Sequence, residues 1–181
     1  MMEKTAQQFE NVVTRCREVF IEKMKDYGFA WRILRTPSLT DQIYIKANRI
    51  RSIESKGTSR VGEGSEPEFI GIVNYSVMAL IQLELGIAEE TDMDEDRVLE
   101  LYNHYIYAAR DLMLNKNHDY DEAWRNMRVS SLTDIILMKL LRIKQIEDNN
   151  GVTSVSEGLD ANYYDIVNYA VFALIQLEEG K

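Results

Sequence analysis

Two stretches of this chain are apolar on almost every face of a helix: Val73 to Glu84, and Val167 to Glu178. Each carries an amide near its start (Asn74, Asn168) and another two turns later (Gln82, Gln176). A helix that is apolar all round is buried on several sides. The other helical stretches are amphipathic. Phe9, Val12, Val13, Cys16, Val19, Phe20 and Met24 recur at helical spacing, which predicts a helix from about Thr5, its candidate cap, to Asp26, stopped by Gly28. Phe29 to Arg35 reads as a short connecting turn, ended by Pro37. Ser38-Leu39-Thr40-Asp41 has the spacing of a capping box and opens a second helix to about Glu54, with Leu39, Ile43, Ala47, Ile50 and Ile53 as its stripe. Glu66-Pro67 opens a third, which Gly86 stops. The same three patterns return over about 94–117, 132–148 and 161–178, and no alternation of period two predicts a strand.

The return is a duplication. At an offset of 93, Asp26-Tyr27 falls on Asp119-Tyr120, Ala30-Trp31-Arg32 on Ala123-Trp124-Arg125, Ser38-Leu39-Thr40-Asp41 on Ser131-Leu132-Thr133-Asp134, Lys46 on Lys139 and Arg49 on Arg142. After a one-residue slip in a loop the offset is 94, and Asn74 falls on Asn168. Over 61 aligned pairs 32 are identical, where ordinary residue usage gives roughly one in seventeen. The expected fold is therefore all-α: six main helices as two tandem three-helix repeats, related by a pseudo-two-fold and packed as one bundle. Residues 1–88 form the first repeat, 89–96 an acidic linker and 97–181 the second repeat. Segments 55–65 and 149–158, rich in glycine, serine and asparagine, read as loops.

Composition narrows the function by exclusion. With 181 residues and 45% hydrophobic content the chain can build a core. A net charge of −9 disfavours a nucleic-acid backbone, so no direct DNA binding is expected. A single cysteine, Cys16, fits a reducing compartment, and with two histidines it cannot furnish a usual zinc site. The first residues carry no apolar signal region and no apolar run of membrane length is read, so a cytoplasmic protein without a membrane partner is expected, with a homo-oligomer left open. There is no Walker-type Gly-x-x-x-x-Gly-Lys loop, and Gly62-Glu63-Gly64 is acidic, a poor phosphate cradle.

The residues shared by both copies are the candidates for chemistry. Lys46 with Arg49, and Lys139 with Arg142, put two cations on one helical face, which suits a phosphate chain. Ion pairing with Glu54 and Glu147 is the plainer alternative. Trp31-Arg32 and Trp124-Arg125 either stack on a base and grip a phosphate, or plug the bundle while the arginines bond helix carbonyls. Asn74 and Asn168, inside apolar helices, need partners: each other, Gln82 and Gln176, or a ligand. Glu68 and Asp165 stand at opposite ends of an acid-x-x-acid spacing, one end surviving in each copy, and are the candidate Mg²⁺ ligands. No Ser-His-acid or Cys-His arrangement stands out.

Asp-Tyr-x-x-Ala-Trp-Arg, then Leu-Thr-Asp with Lys-x-x-Arg, then Glu-Gly in a loop, then Val-Asn-Tyr-Ala, as in Val167 to Ala170: this order resembles the nucleotide-modification-associated domain 1 family, in tandem duplicate. That family is in turn similar to the MazG-like all-α nucleoside-triphosphate pyrophosphatases. The second resemblance implies a helical fold and Mg²⁺ held by Glu-x-x-Glu and Glu-x-x-Asp pairs. Those positions fall here on Lys46 to Arg49 and Lys139 to Arg142, with the charge reversed, and on Glu68 to Gly71 and Asn162 to Asp165, each half complete. The resemblance thus implies a nucleotide-binding or nucleotide-processing protein with a degenerate metal site. A catalytically silent helical interaction module is the alternative.

Overall fold

The two stretches that are apolar all round become the middle layer of a three-layer stack. In the computed structural model, which describes residues 2–57, 64–153 and 158–180, the helices are α1 (Met2–Tyr27), α2 (Thr36–Lys56), α3 (Glu66–Leu85), α4 (Glu95–Tyr120), α5 (Val129–Asp148) and α6 (Leu159–Glu178). A single 3₁₀ turn, Ala30–Ile33, links α1 to α2, and its copy, Ala123–Asn126, links α4 to α5. The described residues contain no strand. α3 packs on α6; α2 and α5 cover this pair from one side, and α1 and α4 cover it from the other. Covered on both sides, α3 buries Phe69, Ile72, Val73, Val77 and Leu80, and α6 buries Tyr163, Ile166, Val167, Val171 and Leu174. Each such side chain contributes about 1.5–3 kcal/mol when withdrawn from water. By length and composition α3 could cross a membrane, but 72% of that apolar window is buried against the other helices.

The pseudo-two-fold shows in paired hydrogen bonds across the α2–α5 contact. Thr40 Oγ1 lies 3.3 Å from Glu147 Oε2, and its repeat counterpart Thr133 Oγ1 lies 3.2 Å from Glu54 Oε1. Burial raises the affinity of both carboxyls for a proton, and the threonine hydrogen bonds work against that rise. Glu54 and Glu147 are therefore not the ion-pair partners of the lysine–arginine pairs, contrary to the plainer sequence reading: a bond between repeats claims them instead.

Helix ends depart from expectation in three places. Thr5 is not a cap. It lies inside α1, fully buried, and bonds Glu122 of the second repeat. Ser38 does not close a capping box, because α2 begins earlier, at Thr36. Pro37 opens that helix rather than ending the preceding turn, since its missing N–H costs nothing in a first turn. The other ends lie within three residues of expectation: α4 runs on to Tyr120, α5 begins at Val129 and α6 at Leu159. Gly28 and Gly86 adopt positive φ at the ends of α1 and α3, and Asp94 caps α4 by accepting from the Arg97 N–H at 2.9 Å. Gly62 and Glu63 of the first loop, and 154–157 of the second, lie outside the described residues.

Candidate functional site

Each repeat folds its first helix, its 3₁₀ turn, its second helix and its third helix around a cleft, and the two clefts correspond residue by residue. The one in the second repeat has a volume of about 440 Å³. Its walls are the aromatic rings of Tyr120, Trp124, Tyr169 and Phe172, and its polar groups are Lys116, Asn117, Lys139, Asp165 and Asn168. In the first repeat the same space is split in two, about 350 and 280 Å³, sharing Lys23, Tyr75 and Met78. Every residue lining the second-repeat cleft has its repeat counterpart lining one of these two: Lys23 for Lys116, Tyr27 for Tyr120, Trp31 for Trp124, Lys46 for Lys139, Asn74 for Asn168, Tyr75 for Tyr169.

The charged groups have drifted between copies, in a compensating way. In the second repeat Asp165 receives Lys139 Nζ at 2.9 Å and Lys116 Nζ at 2.8 Å. In the first repeat the counterpart of Asp165 is Gly71, and the Lys46 side chain lies across it: a Cβ built there would sit 2.6 Å from Lys46 Cδ. That path carries Lys46 Nζ to 3.5 Å from Glu68, one turn earlier, which Arg49 also grips at 2.7 Å. The acid moved by one helical turn and the lysine followed it. Lys23, freed of the role Lys116 plays, has no ion-pair partner among the described residues. Cations outnumber carboxylates in both clefts. Lys46 Nζ also stands 5.8 Å from the centre of the Tyr75 ring, within cation–π range.

The buried amides serve the layers. Asn74 donates to Cys16 O at 3.0 Å and accepts from the Tyr102 hydroxyl at 2.7 Å. Asn168 makes the equivalent bond to Ala109 O, at 3.0 Å, but its Oδ1 is buried without a hydrogen-bond partner among the described residues. Neither asparagine pairs with the other or with a glutamine. Gln82 instead donates to the carbonyls of Arg32 and Leu34, and Gln176 to that of Trp124, so the glutamines pin the 3₁₀ turns. Cys16 is fully buried, and burial pushes its thiol up to about 12.

The structure brings Trp31, Lys46, Asn74, Trp124, Lys139 and Asn168 to the clefts, with Arg49 holding Glu68 at the edge of the first. It places Arg32, Arg125 and Arg142 elsewhere. Arg32 is 2% exposed and spent on Gln82, the Gly86 carbonyl at 2.7 Å and Asp92 at 2.9 Å. Its hydrogen bond holds the Asp92 carboxyl below the usual aspartate range. Arg125 ties its turn to Thr5, Gln8 and Glu122 and lies 4.4 Å over the Trp124 ring. Both arginines fasten the 3₁₀ turns: Arg32 partly through a carbonyl, as the plainer reading had it, and Arg125 through side chains. Arg142 reaches Gln145 at 3.5 Å and lines neither cleft. The two tryptophans differ: Trp124 is buried and stacked on Phe172 at 4.2 Å, while Trp31 is half-buried 6.4 Å from Phe20. Lys23, Lys116, Tyr75 and Tyr169 were not singled out from the sequence, although their identity in both copies was the available signal.

Glu68 and Asp165 lie in different clefts, one carboxylate in each, and each faces two cations. Mg²⁺ takes oxygen ligands in near-octahedral order. A lone carboxylate already neutralised by its own repeat is a poor donor set, and no group of three or more His, Cys, Asp and Glu residues placed to hold a metal occurs among the described residues.

A family model described as nucleotide modification associated domain 1 matches the chain twice, over residues 23–83 and 116–177. Neither a curated protein nor a solved structure matches it. The two matched segments start at Lys23 and Lys116, the paired lysines of the two clefts.

Proposed function

Since the chain belongs to the nucleotide modification associated domain 1 family twice over, we propose that its clefts are nucleotide-binding sites. The supporting observation is the repetition, position for position, of paired lysines beside a tryptophan and two tyrosines. A base stacks on aromatic faces whatever its sequence identity, at about 1–3 kcal/mol per base. In the second cleft the faces on offer are those of Tyr120 and Tyr169, since Phe172 and Arg125 cover Trp124. Lys116 and Lys139, or Lys23 and Lys46, then meet the phosphates. In the second cleft an incoming phosphate competes with Asp165 for the same two ammonium groups. In the first, Lys23 is ready for it. The likeness to MazG-like pyrophosphatases guides only the choice of ligands to try, triphosphates among them.

The test is calorimetric titration with ribo- and deoxyribonucleoside mono-, di- and triphosphates. At least one should bind at millimolar Kd or tighter, and K23A with K116A should weaken it at least tenfold while leaving the far-UV spectrum intact. If no nucleotide binds at millimolar concentration, the proposal falls. A second reading, a catalytically silent interaction module, draws on the pairing of Lys46, Arg49 and Lys139 with carboxylates of their own repeats. A blank nucleotide panel together with a stoichiometric protein partner would favour it.

A further inference from the structure

The two clefts differ at one buried position whose identity packing does not dictate. Met24 and Asn117 are repeat counterparts near the ends of α1 and α4, 5% and 6% exposed. Met24 lines the first cleft and Asn117 the second. Methionine fills the position in one copy, so the fold does not require an amide there. The amide is also poorly provided for. Asn117 Nδ2 reaches only the thioether sulfur of Met113, at 2.9 Å, a weak acceptor. Asn117 Oδ1 accepts no hydrogen bond among the described residues. Unlike Asn168 Oδ1, it is not shut off from solvent, so it opens on the cleft that the residue lines. A buried polar group without partners is destabilising, and one that faces a pocket is explained by a ligand. The second cleft differs in shape too. It is one space of about 440 Å³, where the first repeat divides the equivalent space into about 350 and 280 Å³.

Building on the nucleotide reading, on which this rests, we infer that the second-repeat cleft is the selective one of the pair and that Asn117 recognises the hydrogen-bonding edge of the base. A carboxamide offers a donor and an acceptor side by side. Nucleobases present the complementary pair on an edge, and asparagine meets adenine in this way in duplex DNA. Asn117 lies three residues before Tyr120, on the same face of α4. A base stacked on Tyr120 therefore has the amide one turn away, and Lys116 and Lys139 border the same continuous space for its phosphates. The first cleft has a thioether in place of the amide, and its Trp31 lies in one part of the divided space while Lys46 lies in the other. It holds a nucleotide without telling one base from another. One chain thus carries one selective site and one unselective site.

Calorimetric titration of the full-length protein with ATP, GTP, CTP and UTP gives the number of sites and their affinities. The best-bound nucleotide should fill one site per chain at least about tenfold more tightly than a second. The triphosphate of a phenyl C-riboside stacks but has no hydrogen-bonding edge. It should bind the parent at least about tenfold more weakly than that nucleotide, because a pocket built to hydrogen-bond its ligand rejects one that leaves it unmatched. N117M, which installs the residue of the first repeat, should weaken the nucleotide at least about tenfold and leave the phenyl analogue within about threefold, erasing the difference between them. Equal weakening of both ligands would show a merely supporting role and overturn the inference. So would a phenyl analogue that binds the parent as tightly as the nucleotides, two sites of equal affinity, or N117M with unchanged nucleotide affinity. The nucleotide reading survives each of these results. A blank nucleotide panel overturns that reading and Asn117's role with it. Should N117M not fold, N117L takes its place, and the parent's preference for nucleotide over phenyl analogue still decides.

Discussion

Phe9→Tyr should stabilise this protein, because the pseudo-symmetry leaves a vacancy for one hydroxyl. In one half the buried Tyr102 hydroxyl donates to Asn74 Oδ1 at 2.7 Å. The repeat operation exchanges Tyr102 for Phe9 and Asn74 for Asn168. Phe9 is fully buried, and Asn168 Oδ1 is buried with no hydrogen-bond partner. A buried acceptor left unmade costs about 1–3 kcal/mol, and a hydrogen bond made to it recovers roughly 1 kcal/mol net. The opposing effect is overpacking: a hydroxyl forced into a filled core costs about 1–3 kcal/mol. Tyr102 shows that the counterpart position accommodates the larger ring, so the hydrogen bond should win by about 1 kcal/mol, a rise in Tm of about 2–4 °C for a chain of this size. Urea denaturation of the parent, F9Y, N168A and the double variant closes a cycle. The F9Y gain should disappear in the N168A background, with a coupling of about 1 kcal/mol. Y102F should do the reverse, lowering Tm by a similar or larger amount. An F9Y gain that persists without the Asn168 amide would show that the hydroxyl found another partner. An F9Y loss would show that the two halves are packed too differently for the symmetry argument.

Three further outcomes follow from the same geometry. E54Q with E147Q should be more stable than the parent at neutral pH, with the difference shrinking as pH falls toward 4 in a urea-midpoint series. Burial raises the folded-state affinity of both acids for protons, so the folded state binds more protons than the unfolded state just above the ordinary glutamate range, and stability falls as pH rises through that window. Cys16 should resist a thiol reagent such as DTNB in the native protein and react stoichiometrically in urea, since burial raises its thiol to about 12 and no solvent reaches it; fast native labelling would contradict the packing of α1. Gly71→Ala should cost no more than about 1 kcal/mol, because its Cβ displaces the flexible end of Lys46 rather than backbone; a larger loss on thermal denaturation would mean that the lysine cannot move aside.

The fold was largely legible because the strongest signals, apolar periodicity and internal repetition, are carried by many residues at once. The all-round apolar character of Val73 to Glu84 called for an apolar surrounding, and the three-layer stack supplies it. Helix starts were less legible. Thr5 and Ser38 have the chemistry of caps, but tertiary partners claim Thr5 and Pro37 moves the start of α2 ahead of Ser38. The candidate site was half legible. Trp124, Lys139 and Asn168, marked out by identity with Trp31, Lys46 and Asn74, do line one cleft, while in the first repeat Trp31 lines one part of the divided space and Lys46 and Asn74 the other. The partners of the lysines could not be read, since Glu68 and Asp165 occupy different turns and only the path of Lys46 over Gly71 shows that they do the same work. Arg32 and Arg125 looked the same in sequence whether they faced a ligand or a carbonyl.

The contacts of α2 with α5 and of α3 with α6 join halves that lie far apart along the chain. Each half therefore completes its hydrophobic interior with surface belonging to the other. The connecting segment between them raises how often the halves meet, through effective concentration, and its Asp92 also bonds Arg32 of the first 3₁₀ turn at 2.9 Å. Tethering of this kind also releases the two halves from having to stay identical, as a pair of separate subunits encoded once would. A glycine in one and an aspartate in the other can then persist side by side and give a single polypeptide two unlike clefts.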